Sequence, residues 1–220
     1  MDLSALDNHD SRIRYYPLML ERSLSDLPQY ELPAGYRFVF WRPGDRENWI
    51  AIERSAKELE SEAQGEEVWR QYYGAWEAEL PDRMVFVENS RGEKVATATA
   101  MFDVFGRDRS GDGWLHWVAV RREDQGRGLS KPLIAFTLRR LRALGYTRAK
   151  IPTQTNTWLA CKIYLDFGFC PTAESAETNR KGWEILKRIT AHPALASFEA
   201  AADGEIFEAH EEEPPKGAKP

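Results

Sequence analysis

Apolar positions along this chain switch repeatedly between a two-residue and a helical period. Tyr36-Arg-Phe-Val-Phe-Trp41 has the aromatic and β-branched character of a strand. Pro43-Gly44 reads as a turn, and Asp45 stands where a helix N-cap would. Trp49, Ile52 and Ala56 then recur at helical spacing. Val68, Trp69, Tyr72, Tyr73 and Trp76 predict a second helix over Glu66–Glu79. Met84-Val-Phe-Val87 and Val95–Phe102 read as strands joined through the hairpin turn Asn89-Ser-Arg-Gly92. After a polar loop, Arg107 to Gly113, come a strand Trp114–Val120, a helix Leu129–Leu144 closed by Gly145, and a strand Arg148–Thr153. A helix from Thr157 to Phe167 ends at Gly168, and residues 178–189 form another. The order β-α-α-β-β-β-α-β-α predicts an α/β protein, a mixed β-sheet with helices on both faces.

The ends differ from this body. Residues 1–34 read as an N-terminal arm, because Pro17, Pro28 and Pro33 break regular elements. Residues 35–190 form the predicted single domain, and residues 191–220 a helical C-terminal extension whose polar, proline-rich end from His210 is expected to be disordered. At 220 residues the chain is long enough for one sizeable core. Its net charge of −5 and pI near 5.5 argue against a broad nucleic-acid surface. No apolar run approaches the ~20 residues that span a bilayer. Met1–Asp10 is acidic and lacks an apolar signal core. Cys161 and Cys170 suggest neither a disulfide framework nor a metal cluster. The expectation is a cytoplasmic protein without metal, membrane or nucleic-acid partners.

The chemistry concentrates after the strand Trp114–Val120. Arg121-Arg-Glu-Asp ends it, and Gln125-Gly-Arg-Gly-Leu-Ser130 leads into the next helix. The first N–H groups of a helix have no partner within it, and its dipole places partial positive charge there. Gly126 and Gly128 let the backbone approach a bulky anion, and Arg127 adds charge. Pro132 has no N–H, so the donors must lie at Gly126 through Lys131. A pyrophosphate would suit this turn; so would a plain helix start behind a flexible loop. The glycine spacing is a poor match to a Rossmann fingerprint. If the strand splays from its neighbour at its end, its backbone could pair with an extended ligand.

A second constellation, Thr153-Gln-Thr-Asn-Thr157, opens the helix that carries Ala160, Tyr164 and Phe167 and ends at Gly168-Phe169. A phenol near a thioester sulfur is a competent general acid; a half-buried core tyrosine is the plain alternative.

Together the two constellations resemble the GNAT superfamily of acetyl-CoA-dependent N-acetyltransferases. Gln125-Gly-Arg-Gly-Leu-Ser130 matches the family turn, with Ser130 in place of the small last residue, and Asn156, Ala160, Tyr164 and Gly168-Phe169 match the second hallmark. Asn156 lies one residue further from the tyrosine than is usual, and Thr157 takes the usual place. The resemblance implies that backbone groups of Val118 and Val120 hold the thioester carbonyl and the pantetheine arm. It implies that Gln125, Gly126, Arg127, Gly128, Leu129 and Ser130 bind the pyrophosphate, that Asn156 or Thr157 contacts the pantetheine, and that Tyr164 protonates the departing thiolate. The implied co-substrate is acetyl-CoA and the acceptor a small-molecule amine; a homodimer is compatible with it.

The amine must be neutral to attack, so a base is needed. His116 is favoured, on the strand that would carry the thioester and with an ordinary pKa of about 6.5; a histidine merely hydrogen-bonded in the sheet is the alternative. Glu53, Glu58 and Glu60 could instead line the acceptor side. Cys161, with no histidine near in sequence, is a poor acyl carrier. Residues 45–80 and 103–113 would build the acceptor site, where aromatics suit a cationic or arylalkyl amine. The rival reading is a non-catalytic acyl-CoA-binding sensor or regulatory module.

Overall fold

The computed structural model describes residues 5–108 and 110–207. The expectation of disorder from His210 lies outside them. Seven strands form one sheet in the order β2-β3-β4-β5-β6-β1-β7. They are β1 (Pro17–Ser23), β2 (Tyr36–Phe40), β3 (Met84–Asn89), β4 (Lys94–Met101), β5 (Gly113–Val120), β6 (Arg148–Gln154) and β7 (Cys170–Pro171). β2 to β5 are antiparallel neighbours, β5 and β6 run parallel, and β1 pairs β7 antiparallel. The sheet is therefore mixed, as the alternation of elements predicts.

Two compact units can be distinguished. One comprises Met19–Pro152 and Asp166–Thr172; the other comprises Thr153–Leu165 with residues before Met19 and after Thr172. In the first, α1 (Arg46–Ser55) and α2 (Glu62–Tyr72) cover one sheet face. Trp41, Trp49, Ile52, Trp69, Tyr73, Met84 and Phe86 form its core. The helix α4 (Ser130–Ala143) covers the other face, following the single turn α3 (Leu80–Arg83) in chain order. Strand alternation explains the division: Phe136 stacks on Phe38 at 4.2 Å and lies 5.9 Å from Phe40, while Val39 between them joins the opposite core.

In the other unit, α5 (Trp158–Asp166) supplies residues up to Leu165, and α6 (Ala173–Thr178) and α7 (Arg180–Thr190) follow. Ile13, Ile185, Ala201 and Ile206 form its small core, closed by an Ile13↔Phe207 bridge. The C-terminal extension is less helical than its sequence suggests: a 3-10 turn at Pro193–Leu195 and the short α8 (Asp203–Ile206) are its regular elements among the described residues.

Two expectations need correction. Pro17 does not break the arm but begins β1, where a missing N–H is best tolerated. Leu18 and Leu20 are buried from the same strand, and Leu24 N–H continues to the Thr147 carbonyl at 2.9 Å. The second helix starts earlier and stops earlier than Glu66–Glu79. Ser61 caps it by accepting from Gln64 N–H at 3.1 Å, and it ends at Tyr72 before Gly74. Trp76 and Glu77–Glu79 belong to a separate 3-10 turn. Among the described residues no helix is long and apolar enough to cross a membrane.

Candidate active site

Strand β5 runs antiparallel to β4 but not evenly. Thr97 pairs with Ala119 and Thr99 with His116, so two residues, Trp117 and Val118, face the single Ala98. This is a β-bulge, and Trp117 takes a φ of 48°, rare for a bulky side chain. Toward β6, pairing is recorded at Gly113↔Ala149 and Trp114↔Lys150, after which β5 continues to Val120 without it. The strand thus splays where the sequence ends it with charges. Arg121 N–H donates to the Val95 carbonyl at 2.9 Å, so alternation turns the groups of Val120 to the splayed edge. There the Gln125 Nε2 amide donates to the Val120 carbonyl at 3.1 Å. The first residue of the turn is therefore a latch back onto the strand, leaving the N–H of Val120 as its backbone group toward that edge.

The turn itself is held from below. Asp124 is buried and accepts from Arg121 Nε and Nη2 at 2.9 and 2.7 Å. Arg127 lies 3.5 Å from the same carboxylate and donates to the Glu123 carbonyl at 3.1 Å and to the Tyr36 hydroxyl at 3.3 Å. Its charge is fastened rather than mobile. Ser55 at the end of α1 accepts from Arg122 N–H at 2.9 Å and donates to Glu123. Gly126 and Gly128 have φ of 75° and 78° and are exposed. A Cβ at Gly126 would meet nothing within 4 Å, so the space beside the backbone is open. Leu129 is the N-cap and is buried; its carbonyl accepts from Leu133 N–H at 3.1 Å, the first bond of α4, so Ser130 and Lys131 N–H precede the helical ladder. An anion suits this end on three counts: oriented donors, the helix dipole and a clear approach. Asp124→Asn should cost about 2 kcal/mol of stability and weaken coenzyme A binding roughly tenfold, because two arginines lose their buried counter-charge. Chemical denaturation and calorimetry read both; an unaltered affinity would mean the turn keeps its shape without the clamp.

An aromatic enclosure stands over the bulge on the α1–α2 side. Tyr72 meets Phe105, Trp117 and His116 edge to face at 4.9, 5.3 and 5.8 Å, and Trp117 meets Trp49 at 5.3 Å. His116 is also 5.8 Å from Trp114. Phe105 is 45% exposed, Tyr72 and Trp117 are half-buried, and His116 is buried. Burial in this apolar setting pushes the His116 imidazolium pKa down to about 4, with Asp103 opposing it weakly. The ordinary histidine value assumed from the sequence therefore does not hold: the ring is neutral throughout the physiological range. Its Nδ1 is buried and has no hydrogen-bond partner among the described residues.

The second constellation lies in the other unit. Thr157 is buried and its hydroxyl donates to the Gln154 carbonyl at 3.0 Å. Asn156 Nδ2 lies 3.2 Å from His9 Nε2, and its carbonyl accepts from Asp10 N–H at 2.9 Å. The N-terminal segment thus engages Asn156, and Thr157 is engaged by its own turn. Cys161 is fully buried, and desolvation pushes its thiol up to about 12, which removes it as an acyl carrier. Tyr164 is 5% exposed on α5.

Sequence reasoning missed three features of this region. The bulge leaves no mark in Trp117-Val118. The Asp124 clamp corresponds in the sequence to an arginine–acid pair three apart, Arg121 to Asp124, a spacing that by itself says nothing of burial. The buried state of Glu53 (0% exposed) contradicts the usual solvation of helix acids.

The sequence profile of the Acetyltransferase (GNAT) family matches residues 46–169, more than half of the chain. No curated protein matches. Among solved structures, a GCN5-related N-acetyltransferase from Sphaerobacter thermophilus is similar with a TM-score of 0.57 at 18% identity, over 73% of this chain and 49% of that one. An acetyltransferase from Colwellia psychrerythraea gives 0.55 at 17% identity, over 72% and 54%. A putative acetyltransferase from Novosphingobium aromaticivorans gives 0.50 at 20% identity, over 73% and 62%. These likenesses concern the fold, and the chain spans about half the length of the first of them. On its sequence profile, with a fold to match, this chain belongs to the GNAT acetyltransferase family.

Proposed function

We propose that the protein transfers an acetyl group from acetyl-CoA to a primary amine by direct attack in a ternary complex. The observation that supports this most is the continuous path from a bulged, splayed strand through a latched glycine turn to the open N-terminus of α4. N–H groups from Gly126 to Lys131 suit the pyrophosphate, and the edge of Val118–Val120 suits an extended pantetheine arm. The N–H of Val118 stabilises the oxyanion as the amine attacks. Tyr164, in the family motif, donates a proton to the departing sulfur. A cytoplasmic setting fits the two free cysteines.

His116 takes a proton from the attacking nitrogen. A buried imidazole is in its acceptor form at neutral pH, and its weak basicity makes it a transient acceptor that passes the proton on. Its titration also sets a pH dependence of folding. The folded pKa lies below the unfolded value, so stability is full above about pH 6.5. It falls by roughly 3 kcal/mol as pH drops toward 4, because the unfolded chain takes up a proton that the native site refuses. In His116→Gln this part of the acid destabilisation should vanish, and with it the acidic limb of the pH–rate profile. Denaturation curves between pH 7 and 4 that coincide for the two proteins would contradict the assignment.

The function is tested by thermal shift with coenzyme A and acetyl-CoA, followed by thiol release with a panel of amines. A shift with turnover is expected. A shift without turnover on any amine would point to an acyl-CoA sensor, and no shift would end the reading.

A further inference from the structure

Residues 24–35, between β1 and β2, contain no helix or strand, yet they are firmly held. Arginines fix their backbone carbonyls: Arg22 donates to that of Asp26, and Arg139 of α4 to that of Pro28 at 3.4 Å. The end of the segment runs along the glycine turn. The Pro33 carbonyl accepts from Tyr36 N–H at 3.3 Å, and the Tyr36 hydroxyl accepts from Arg127 at 3.3 Å. The Pro33 ring lies 3.8 Å from where a Cβ of Gly128 would stand. An irregular segment held this way presents its side chains on a rigid support.

Tyr30 is what it presents. With Tyr15 and Phe105, it is one of the exposed large apolar side chains among the described residues, at 37%. The buried Phe167 backs its ring at 5.4 Å, and the Lys131 ammonium stands 5.9 Å from its centroid. Lys131 is exposed, is the second residue of α4, and forms no ion pair among the described residues. Arg121 and Arg127, by contrast, are both neutralised by Asp124. The first turn of α4 contains no acid. A cation there opposes the helix dipole, which costs stability until an anion joins it. Side chains on a helix lean toward its N-terminus, so the ammonium reaches back toward the turn.

We infer that Tyr30 and Lys131 seat the nucleotide end of coenzyme A, the ring taking the face of the adenine and the ammonium the 3′-phosphate. This rests on the acetyl-transfer reading and deepens it. It makes the donor a free coenzyme A thioester rather than a phosphopantetheine arm on a carrier protein, which has no nucleotide. The order of groups in the ligand gives the placement. The ribose follows the pyrophosphate, so with the pyrophosphate on the N–H groups of Gly126 to Lys131 the adenosine lies beside the turn, where Pro33 and Tyr30 stand. An adenine stacks on an aromatic ring without needing hydrogen bonds to its edges. A phosphate monoester carries about 1.5–2 negative charges at pH 7, and a lysine meets it as a point charge with three donors. As the nucleotide binds, Lys131 exchanges its contact with the ring for a charge-assisted hydrogen bond, which frees the ring for the base.

The test is calorimetric titration of coenzyme A, 3′-dephospho-coenzyme A and 4′-phosphopantetheine at one ionic strength, with no turnover involved. Wild-type protein should bind coenzyme A at least about tenfold more tightly than the dephospho form. In Lys131→Gln that ratio should collapse to below about twofold, with the affinity for the dephospho form little changed. Tyr30→Ala should weaken both nucleotides by about five- to tenfold and leave phosphopantetheine within about twofold of wild type. Tyr30→Phe should bind all three like wild type, because the ring and not the hydroxyl is used. Both side chains are exposed, so the variants should melt with the wild type. A ratio that survives in Lys131→Gln, or a coenzyme A affinity untouched in Tyr30→Ala, would overturn the assignment. So would a wild-type protein that binds phosphopantetheine as tightly as coenzyme A, which would favour a carrier-bound donor. If coenzyme A binds independently of both residues, the acetyl-transfer reading stands and this seat fails. If none of the three ligands binds, the reading beneath it has failed.

Discussion

Tyr164→Phe is expected to lower kcat for amine acetylation by about 10²–10³-fold while changing the affinity for acetyl-CoA by less than about twofold. Tyr164 is 5% exposed, and phenylalanine keeps the ring and its packing while removing the hydroxyl proton. A free phenol titrates near 10 and a thiol near 8.5, so proton donation from tyrosine to sulfur is uphill by roughly 2 kcal/mol on its own. In the proposed mechanism it becomes favourable when coupled to proton loss from the attacking nitrogen. Pre-steady-state measurement of thiol release checks this. A variant with wild-type turnover removes Tyr164 from the mechanism, and a variant that loses acetyl-CoA affinity in proportion to kcat makes it a binding residue.

The second large effect concerns the turn. Gly126→Val and Gly128→Val should each weaken coenzyme A binding by about a hundredfold or more, with a loss of stability near 1–2 kcal/mol. Both positions hold the left-handed conformation that a β-branched residue resists. At Gly126 an added Cβ meets nothing in the protein, and at Gly128 it meets only the Pro33 ring at 3.8 Å. The loss therefore comes from the tilted donors and from the side chain standing where the anion approaches. Alanine at the same positions should do less, since it adds strain with little bulk. Calorimetric titration of coenzyme A distinguishes the cases; affinity retained in both valine variants would place the pyrophosphate elsewhere.

The fold was largely legible from residue order. The strands from Tyr36, Met84, Trp114 and Arg148 and the helices from Ser130 and Trp158 form within two residues of where periodicity puts them. Their signals are local: a β-branched or aromatic run, a glycine stop, a helical stripe. The early end of α2 was less legible. Tyr72, Tyr73 and Trp76 continue a helical spacing, and only the turn at Gly74 ends it. β1 was hidden for a different reason. A proline at its first residue reads as a breaker until the strand has a place in a sheet, where the missing N–H is harmless.

The candidate site divides along the same line. The sequence by itself determined the glycine turn before α4, the two free cysteines, the tyrosine of the family motif and the histidine on the strand that precedes the turn. Each is a property of residue type and spacing. The tertiary structure decided what those residues are at rest. It paired Asp124 with two arginines, used Gln125 to latch the strand, and gave Asn156 to the N-terminal segment. It also drove the titrations of His116 and Glu53 apart, one neutral by losing its proton, the other by keeping it. The physical reason is desolvation. A pKa depends on which atoms exclude water from a group, and those atoms come from elements far apart in the chain: α1, α2, β4 and β5.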